Sequence, residues 1–204
     1  MLPELLFHGG TVMWLLFLTA AVATTVFIER LLHYHREQIN SLDFLNGVRT
    51  VLKRDNVVEA ISICDATAGP VPRLVKAAIL CRDRGREHIR EVLTQAGLVE
   101  VPRLEEKLGL LGTIAQIAPV MGLLGSVLGL MDVFQVLQTQ GVSSPPGTLA
   151  GGVWKALVCS GAGLAVSIPA YAGYNYLVSR VRSIVLDMEK ASAEILIILT
   201  EPIV

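Results

Sequence analysis

The chain has 204 residues, of which 52% are hydrophobic and only 17% are charged. Soluble domains carry roughly 25% charged residues, and a chain of this size must still cover its exterior with polar groups. The composition, with a mean hydropathy of +0.58, therefore excludes an ordinary soluble enzyme. The net charge of −1 also gives no sign of the basic surface that nucleic-acid binding requires.

The apolar residues lie in three uncharged blocks. The first covers residues 11–28, the second 108–131 and the third 156–179. A bilayer core about 30 Å thick needs about 20 helical residues, so each block predicts one transmembrane helix. Between the second and third blocks, Pro145 and Pro146 predict a loop, because proline removes a backbone donor and breaks a helix.

These elements predict an all-α membrane protein with three transmembrane helices, the second and third of which extend into a helical cytoplasmic domain. The predicted boundaries are an N-terminal outside segment with the first span (1–32), a cytoplasmic helical region (33–107), the second span (108–138), an outer loop (139–150), the third span (151–179) and a cytoplasmic amphipathic helix (180–204).

Basic residues set the predicted orientation, because cytoplasmic loops are enriched in Lys and Arg. Of the 17 Lys and Arg residues, none precedes the first block and 13 lie between Arg30 and Lys107. Only Lys155 lies between the second and third blocks, and three basic residues follow the third. We therefore expect the N-terminus outside, with the long first connection and the C-terminus in the cytoplasm.

The cytoplasmic segments carry the patterns of short helices. Asp55 is in position to cap a helix that begins near Val57. The Gly69–Pro72 stretch is expected to separate it from a second helix over about 73–81, and a third helix starts near Arg86. In the tail, apolar residues recur at helical spacing and predict a stripe that packs on a partner helix. The stripe consists of Val181, Ile184, Val185, Met188, Ala191, Ile195 and Leu199.

The span centres contain no Asp, Glu, Lys, Arg or His, although such residues usually mark ion paths in membranes. There is also no nucleophile-and-base arrangement, no phosphate loop and no metal-ligand spacing such as CxxC. We therefore expect neither an enzyme nor a bound metal or cofactor. Cys64, Cys81 and Cys159 are expected to be free thiols, because none is predicted to meet an oxidising compartment.

The second and third spans instead contain small and hydroxylated residues. Small residues let membrane helices approach closely. The candidates for helix packing are Gly122, Gly125, Gly129, Gly161 and Gly163. The hydroxyl candidates are Ser126 and Ser160. On pattern alone, packing accounts for all of them, since a serine inside a span can simply bond the carbonyl one turn earlier.

Two motifs resemble a known family. Residues 118–129 read A-P-V-M-G-L-L-G-S-V-L-G and resemble the pattern A-P-L-L-G-L-L-G-T-V-x-G. Residues 156–175 resemble A-L-x-x-T-x-x-G-L-x-x-A-I-P-A-x-x-x-Y-N. Both patterns belong to the MotA/TolQ/ExbB proton-channel family. Glu29 and Arg30 at the inner end of the first span also match that family, and the predicted three spans are more similar to ExbB and TolQ than to the four-span MotA.

The resemblance implies a ring-forming subunit, usually one of five copies, of an ion-driven motor in the bacterial inner membrane. A single-span partner similar to ExbD or TolR would supply the membrane aspartate that carries the proton. A TonB- or TolA-like protein would pass the work to an outer-membrane transport or envelope process. The threonines that line the family's ion path map onto Ser126 and Ser160. Protons and sodium ions both remain open, and no cofactor is implied.

Two charged residues, Asp132 and Lys155, lie near the ends of the second and third spans, and Lys155 departs from the family pattern. ExbB-like proteins often carry Glu at the position of Lys155. Asp132 lies six residues after Ser126, and Lys155 lies five before Ser160, which puts both charges about 7–9 Å further out. Two interpretations stay open: an ion pair at the outer mouth of the path, or two side chains that reach the interface separately.

Two other functions are weighed against the motor subunit. A non-conducting membrane scaffold that anchors a partner protein is the main alternative. A transporter with its own substrate site comes third, because such proteins are expected to show discontinuous helices or buried charge. Pro119 and Pro169 are the only features of the spans that point in that direction.

Overall fold

The computed structural model of the protein describes residues 10–37, 41–141 and 145–200, and these residues form helices joined by short turns. In chain order the helices are α1 (Gly10–Glu37), α2 (Ser41–Leu52), α3 (Val57–Ala66), α4 (Pro70–Leu80), α5 (Arg86–Glu105), α6 (Leu108–Gln140) and α7 (Pro146–Thr200), with a 3-10 turn at Arg82–Arg84. Three helices of the described residues are long and apolar enough to cross a bilayer. The predicted all-α class with three spans is therefore confirmed.

The chain divides into two compact units. The first, called here the membrane unit, comprises Met1–Glu29 and Lys107–Tyr176. The second, called the helical unit, comprises Arg30–Glu106 and Leu177–Val204. Each unit has its own kind of packing, and the two are described in turn.

In the membrane unit, α1 packs on both α6 and α7. A buried cluster joins Val12, Leu16 and Ala118, with three half-buried residues around it: Met121, Ala162 and Val166. Further along α1, the ring of Phe27 lies against Gly173. Many of the remaining apolar side chains are exposed, including Leu18, Leu123 and Ile168. This pattern is typical of helices whose outer faces meet lipid or other membrane helices rather than water.

The helical unit has a core of large apolar side chains. Deeply buried examples come from five helices. They are Leu45 and Val48 of α2, Val75 and Ile79 of α4, Ile89 of α5, and Leu177 and Ile195 of α7, together with Ala60 of α3. Burial of each such leucine or isoleucine contributes roughly 1.5–3 kcal/mol.

The predicted stripe of the tail is confirmed. Val181, Ile184, Met188, Ala191 and Ile195 are buried, and the other two members of the stripe are half-buried. The partner of this stripe is therefore supplied within the chain itself.

Two helices are separated near Gly69 as expected, since α3 ends at Ala66, but α4 begins at Pro70 rather than near Arg73. Pro70 is the first residue of α4. Proline is tolerated there because the first turn of a helix does not use its N–H groups and because the fixed φ of proline suits the helix. Gly69 just before it has φ +124°, and a Cβ there would lie 3.0 Å from the carbonyl oxygen of Glu37. Gly69 thus ends the short connection after α3, and Pro70 begins α4.

The predicted cap of α3 at Asp55 is wrong by one residue. Asn56 is the cap: its side chain accepts a hydrogen bond from the Glu59 N–H at 3.2 Å, and its amide donates to the Glu59 carboxylate at 2.7 Å. Asp55 sits in the preceding turn with φ +53° and accepts from Arg82 at 3.0 Å. Asp and Asn are both strong capping residues, so adjacent positions cannot be separated by residue type alone.

Two polar arrangements are buried in the helical unit. Glu100, 7% exposed, accepts from Arg73 and Arg103, both at 2.9 Å. The hydroxyl of Tyr34 donates to the Leu104 carbonyl at 2.5 Å. Burial, more than the charges nearby, raises the pKa of Tyr34 to about 12. Both groups keep their partners, as buried polar groups must.

The bounds of α6 and the start of α7 differ in part from the predicted boundaries of the spans. α6 begins after Lys107, whose left-handed backbone (φ +64°) breaks the path from α5. Pro102, by contrast, lies inside α5. At the other end α6 runs to Gln140, and α7 begins at Pro146, inside the segment that the prolines predicted as loop. As in α4, the proline is tolerated because it stands in the first turn.

Candidate functional site

α6 and α7 touch through their backbones at two glycines. A Cβ added to Gly122 would lie 2.9 Å from the Cys159 carbonyl oxygen and 3.0 Å from the Gly163 Cα. A Cβ added to Gly163 would lie 2.7 Å from the Ala118 carbonyl oxygen. Real Cβ atoms essentially never stand so close to backbone atoms, so both positions require glycine. Small residues of this kind allow the close approach on which membrane helix packing depends.

The contact continues along the pair in antiparallel register. Gly125 lies against the Cys159 side chain, and Gly129 lies against the backbone of Ala156. Four of the five glycines proposed for packing are thus brought into the α6–α7 contact. Gly161 is not: among the described residues, no atom of a neighbouring helix comes within 4 Å of a Cβ placed there. Its face of α7 points away from α6, because it is offset by about 200° from Gly163.

Three further glycines make close contacts that the sequence did not single out. Gly152 lies under the Val133 side chain and Gly112 under the Tyr174 ring, where a Cβ would be 3.0 Å from the ring carbon. Gly173 lies under the Phe27 ring. Their spacing is not a GxxxG pattern, so only the tertiary contact identifies them. From Gly112 to Val133 the close contact extends roughly 32 Å, about the thickness of a bilayer core.

The two predicted hydroxyls meet between these helices. The Ser126 oxygen lies 2.8 Å from the Ser160 oxygen, 2.7 Å from the Ala156 carbonyl and 3.0 Å from its own Gly122 carbonyl. A hydroxyl has one hydrogen to donate and two lone pairs. Since carbonyls only accept, the Ser126 hydrogen is used on a carbonyl, and Ser160 donates to Ser126. The half-buried Ser160 oxygen keeps its lone pairs as acceptors.

Asp132 and Lys155 also come together. Lys155 Nζ lies 2.7 Å from Asp132 Oδ2, and the side chains are 30% and 55% exposed respectively. At about 100° per residue, Asp132 shares a face of α6 with Met121, and Lys155 shares a face of α7 with Ala162. Both faces are the ones that pack towards α1.

The serine pair occupies a different side of α6 and α7 from this ion pair. Ser126 is offset from Asp132 by about 120°, and Ser160 from Lys155 by about 140°. The interpretation of Asp132 and Lys155 as two separate side chains does not match the 2.7 Å distance between them. Whether the pair stands at the mouth of a path that the serines line remains a prediction, and the offset weighs against it.

A second ion pair lies at the opposite end of the membrane unit. Lys107, just before α6, pairs with Glu29 of α1. Lys107 and Asp132 are 25 residues apart in the chain, which is roughly 37 Å along α6. The uncharged part of α6 is therefore bounded by a charge pair at each end. The serine pair is not central between them: it lies roughly 9 Å from the level of Asp132 and roughly 28 Å from that of Lys107.

Ser167 is a contact between the two helices that the sequence did not reveal as a site. Its hydroxyl donates to the Ala115 carbonyl of α6 at 2.7 Å. That carbonyl would ordinarily accept from the N–H four residues later, but the residue there is Pro119, which has none. The proline was a visible signal that a carbonyl needs another donor. Which donor supplies the hydrogen depends on the register of α6 and α7.

The described residues contain no group of three or more His, Cys, Asp or Glu side chains placed to hold a metal ion. Free thiols stand at all three cysteines. Outside the spans, burial raises the pKa of the Cys64 thiol to about 11, with a smaller contribution in the same direction from Asp65. Such a thiol is protonated at neutral pH and is a poor nucleophile or metal ligand.

Comparison with known proteins places this architecture in a family. The sequence profile of the MotA/TolQ/ExbB proton channel family matches residues 67–190. The chain is 28% identical over 182 residues to a biopolymer transport protein ExbB homolog of Methanothermobacter thermautotrophicus, an overlap of 87% of this chain and 63% of that protein. It is 28% identical over 171 residues to biopolymer transport protein exbB1 of Vibrio cholerae, covering 82% of this chain and 75% of that protein.

A shorter match joins the chain to a third relative. It is 36% identical over 91 residues to the Tol-Pal system protein TolQ of Haemophilus influenzae, covering 43% of this chain and 38% of that protein. The chain thus spans less than two thirds of the first and third of these relatives. Because the family profile covers more than half of the chain, the chain belongs to the MotA/TolQ/ExbB proton channel family. The resemblance seen in the two motifs is confirmed.

Proposed function

We propose that this protein is a ring-forming subunit of an inner-membrane motor and that it lines the ion path without supplying the ionisable group. The observation that carries the proposal is the Ser126–Ser160 pair, 2.8 Å apart between the uncharged parts of α6 and α7. These two hydroxyls are the polar groups from which an ion path along α6 and α7 can be built. The proposed activity is conduction coupled to movement, and no enzymatic reaction is assigned.

The chemistry of the pair suits a carboxyl group that is brought in from outside. With its hydrogen used on Ser126, Ser160 offers lone pairs that accept from a protonated carboxyl or from a hydrated cation. It carries no fixed charge that would trap the ion. The span centres have no carboxylate of their own. We therefore propose that a single-span partner, similar to ExbD or TolR, provides an aspartate that faces the serine pair.

The outer faces of α6 and α7 support a ring of copies around that partner. Val120, Leu123, Leu124 and Val127 of α6 are exposed, as is Leu164 of α7. In a bilayer such faces pack on lipid or on neighbouring helices. We propose five copies, with the N-terminus outside and the C-terminus cytoplasmic, as the distribution of Lys and Arg predicts. A TonB- or TolA-like protein would then carry the work to an outer-membrane transport or envelope process.

One observation favours a second candidate, the non-conducting scaffold. Both serines already have hydrogen-bond partners within the chain: Ser126 contacts the Ala156 carbonyl and Ser160. Hydroxyls bonded in this way also hold membrane helices together without any ion passing. The two functions differ in what happens when the hydroxyls are removed while the ring remains assembled.

The test is a Ser126→Ala/Ser160→Ala double variant in the native host, with the natural partner present. A cytoplasmic pH-sensitive fluorescent protein reports proton influx after an external acid pulse. Each hydroxyl bond to a charged group is worth roughly 1.5–3 kcal/mol, and 1.36 kcal/mol is about tenfold in rate. We expect proton influx to fall at least about tenfold. Alanine is used because a valine at position 126 would collide with the α7 backbone 2.7 Å away.

Two controls accompany the double variant. Thr19→Val removes a hydroxyl of α1 that bonds only its own helix at Leu16, and it is expected to keep wild-type influx. Ser126→Thr and Ser160→Thr keep the hydroxyls and are also expected to conduct. Ring assembly is measured by the mass of the detergent-solubilised complex. Normal influx with an assembled Ser126→Ala/Ser160→Ala ring would overturn the serine-lined path. Wild-type influx no higher than that of a strain without the protein would favour the scaffold. Repetition of the assay with a sodium pulse and a sodium-sensitive dye separates the two ions.

A further inference from the structure

Pro119 creates a polar point in the middle of an apolar helix. Because it has no N–H, the Ala115 carbonyl one turn earlier loses its helical donor. Ser167 replaces that donor with a hydrogen bond of 2.7 Å across the helix pair. The carbonyl has two lone pairs and the Ser167 oxygen has two, so each keeps acceptor capacity after this bond is formed.

Gln116 stands directly beside this point and is exposed. Polar side chains at membrane depth are costly in lipid and mark functional positions. At about 100° per residue, Gln116 is within about 80° of Ser126 but about 140° from Met121, the residue that packs towards α1. Ser167 lies on the same face of α7 as Ser160, two turns away. Gln116 and Ser167 are thus on the side of the helix pair that carries the serine pair.

Ala115 and Ser167 lie between the serine pair and the Lys107 end of α6, where a long stretch of the proposed path has no other polar group assigned to it. The serine pair is roughly 28 Å from the level of Lys107 along α6, a distance too long for one polar contact to serve. Ala115 and Ser167 lie roughly 10–16 Å from the serine pair, near the middle of the stretch between that pair and Lys107. Thr113, the other hydroxyl of this part of α6, bonds its own helix at Gly109.

We propose that Ser167, the Ala115 carbonyl and the Gln116 amide form a second station of the path, which binds water that relays the proton between the serine pair and the Lys107 end of α6. The inference rests on the proposed function and deepens it. A bound water needs two to four polar partners, and these three groups supply both donors and acceptors. No covalent step is involved: the proton passes along hydrogen bonds.

The test uses Ser167→Ala and Gln116→Leu in the same acid-pulse assay, with the full chain and its natural partner. Each is expected to lower proton influx about three- to tenfold, the effect of losing one neutral hydrogen bond. Ser167→Thr and Gln116→Asn keep the polar groups and are expected to recover most of it. The matched control is Thr24→Val, an exposed hydroxyl of α1 that bonds its own helix at Ala20.

A second measurement tests the role of the proline itself. Pro119→Ala restores an N–H to the Ala115 carbonyl, so Ser167→Ala is expected to lower the thermal stability of the purified chain less in that background than in the wild type. Equal losses in the two backgrounds would overturn the assigned hydrogen bond. Because Gln116 is exposed, its leucine variant tests the station even if the Ser167 variant fails to assemble.

The two proposals fail in different ways. If Ser126→Ala/Ser160→Ala abolishes influx while Ser167→Ala and Gln116→Leu match Thr24→Val, the second station is wrong and the proposed function stands. If the double serine variant conducts normally, the proposed function itself fails. If all four residues are required and the conservative variants conduct, the path has both stations.

Discussion

The helices within the membrane unit and the helices within the helical unit pack in opposite ways. In the membrane unit, α6 and α7 approach until the backbone of Gly122 meets that of Gly163, and no large side chain stands between them. In the helical unit, large side chains such as Leu45, Ile79 and Ile195 fill the space between helices. The same helix, α7, contributes glycines to one unit and an apolar stripe to the other.

The difference follows from the surroundings of each unit. Lipid tails are as apolar as leucine, so burying a leucine between membrane helices gains little, and close backbone packing takes its place. In water, each buried apolar side chain lowers the free energy of the folded state. The α6–α7 contact of the membrane unit therefore depends on the absence of side chains at its glycines, whereas the core of the helical unit depends on the presence of large apolar ones.

The largest expected effect comes from the helical unit. Ile79→Ala is expected to lower the free energy of unfolding by roughly 2–5 kcal/mol, since it leaves a cavity in a packed core. The next residue is the control: Leu80 is 63% exposed, and Leu80→Ala should stay within about 0.5 kcal/mol of the wild type. Thermal unfolding of the purified chain measures both. Equal losses would remove the contrast between the units.

The membrane unit should respond to the opposite change. Gly122→Ala adds a methyl group that meets the α7 backbone, and it is expected to cost about 1–3 kcal/mol, as overpacking does. Gly161→Ala adds the same methyl group where, in the part of the chain that the structure describes, no atom of a neighbouring helix lies within 4 Å. It should leave the stability of the single chain unchanged. A Gly161→Ala variant that folds but fails to form the ring would show that this glycine packs against another copy.

The Asp132–Lys155 pair is expected to contribute less than either. Its side chains are 55% and 30% exposed, and exposed ion pairs contribute roughly 0.2–1 kcal/mol. A double-mutant cycle with Asp132→Asn and Lys155→Met should give a coupling of this size that falls with added salt. Proton influx should change less than about twofold, given the offset from the serine pair. A tenfold change would place the pair at the mouth of the path.

The gentlest probe is thiol labelling of the native protein. A maleimide should modify Cys81, which is half-exposed, well before the buried Cys64. The pKa of the Cys64 thiol is about 11 in the folded protein against an ordinary value of 9.0. The thiol therefore stays protonated to a higher pH when the protein is folded than when it is unfolded. Stability from this group is present below pH 9 and is lost as the pH rises from 9 to about 11. Equal labelling rates at pH 7.5 would contradict the burial of Cys64.

Much of the fold could be predicted because it depends on local pattern. Span length, the apolar stripe from Val181 to Leu199 and the glycines of the second span all follow from residue type and helical period. Helix ends were less predictable, because neighbouring residues compete for the same role. Asn56 caps α3 where Asp55 was expected, and Pro70 and Pro146 begin helices where they were expected to interrupt them.

The site divides in the same way. The hydroxyls of Ser126 and Ser160 could be chosen from the sequence through the family motifs, and their meeting at 2.8 Å depends on the antiparallel register of α6 and α7. Ser167 could not be chosen, because its partner carbonyl is 52 residues away in the chain. Nor could the sequence tell Gly161 from Gly163, which differ only in the face of α7 they occupy.

By itself, the sequence determined three apolar crossings, an uncharged interior and the family, because length, composition and short motifs are properties of neighbouring residues. Only the tertiary structure decided which glycines touch, which hydroxyl satisfies the carbonyl that Pro119 leaves, and on which side of the helix pair the charges lie. Those outcomes depend on the rotation and register of helices packed against one another, and small residues permit many such arrangements until the backbones are in contact.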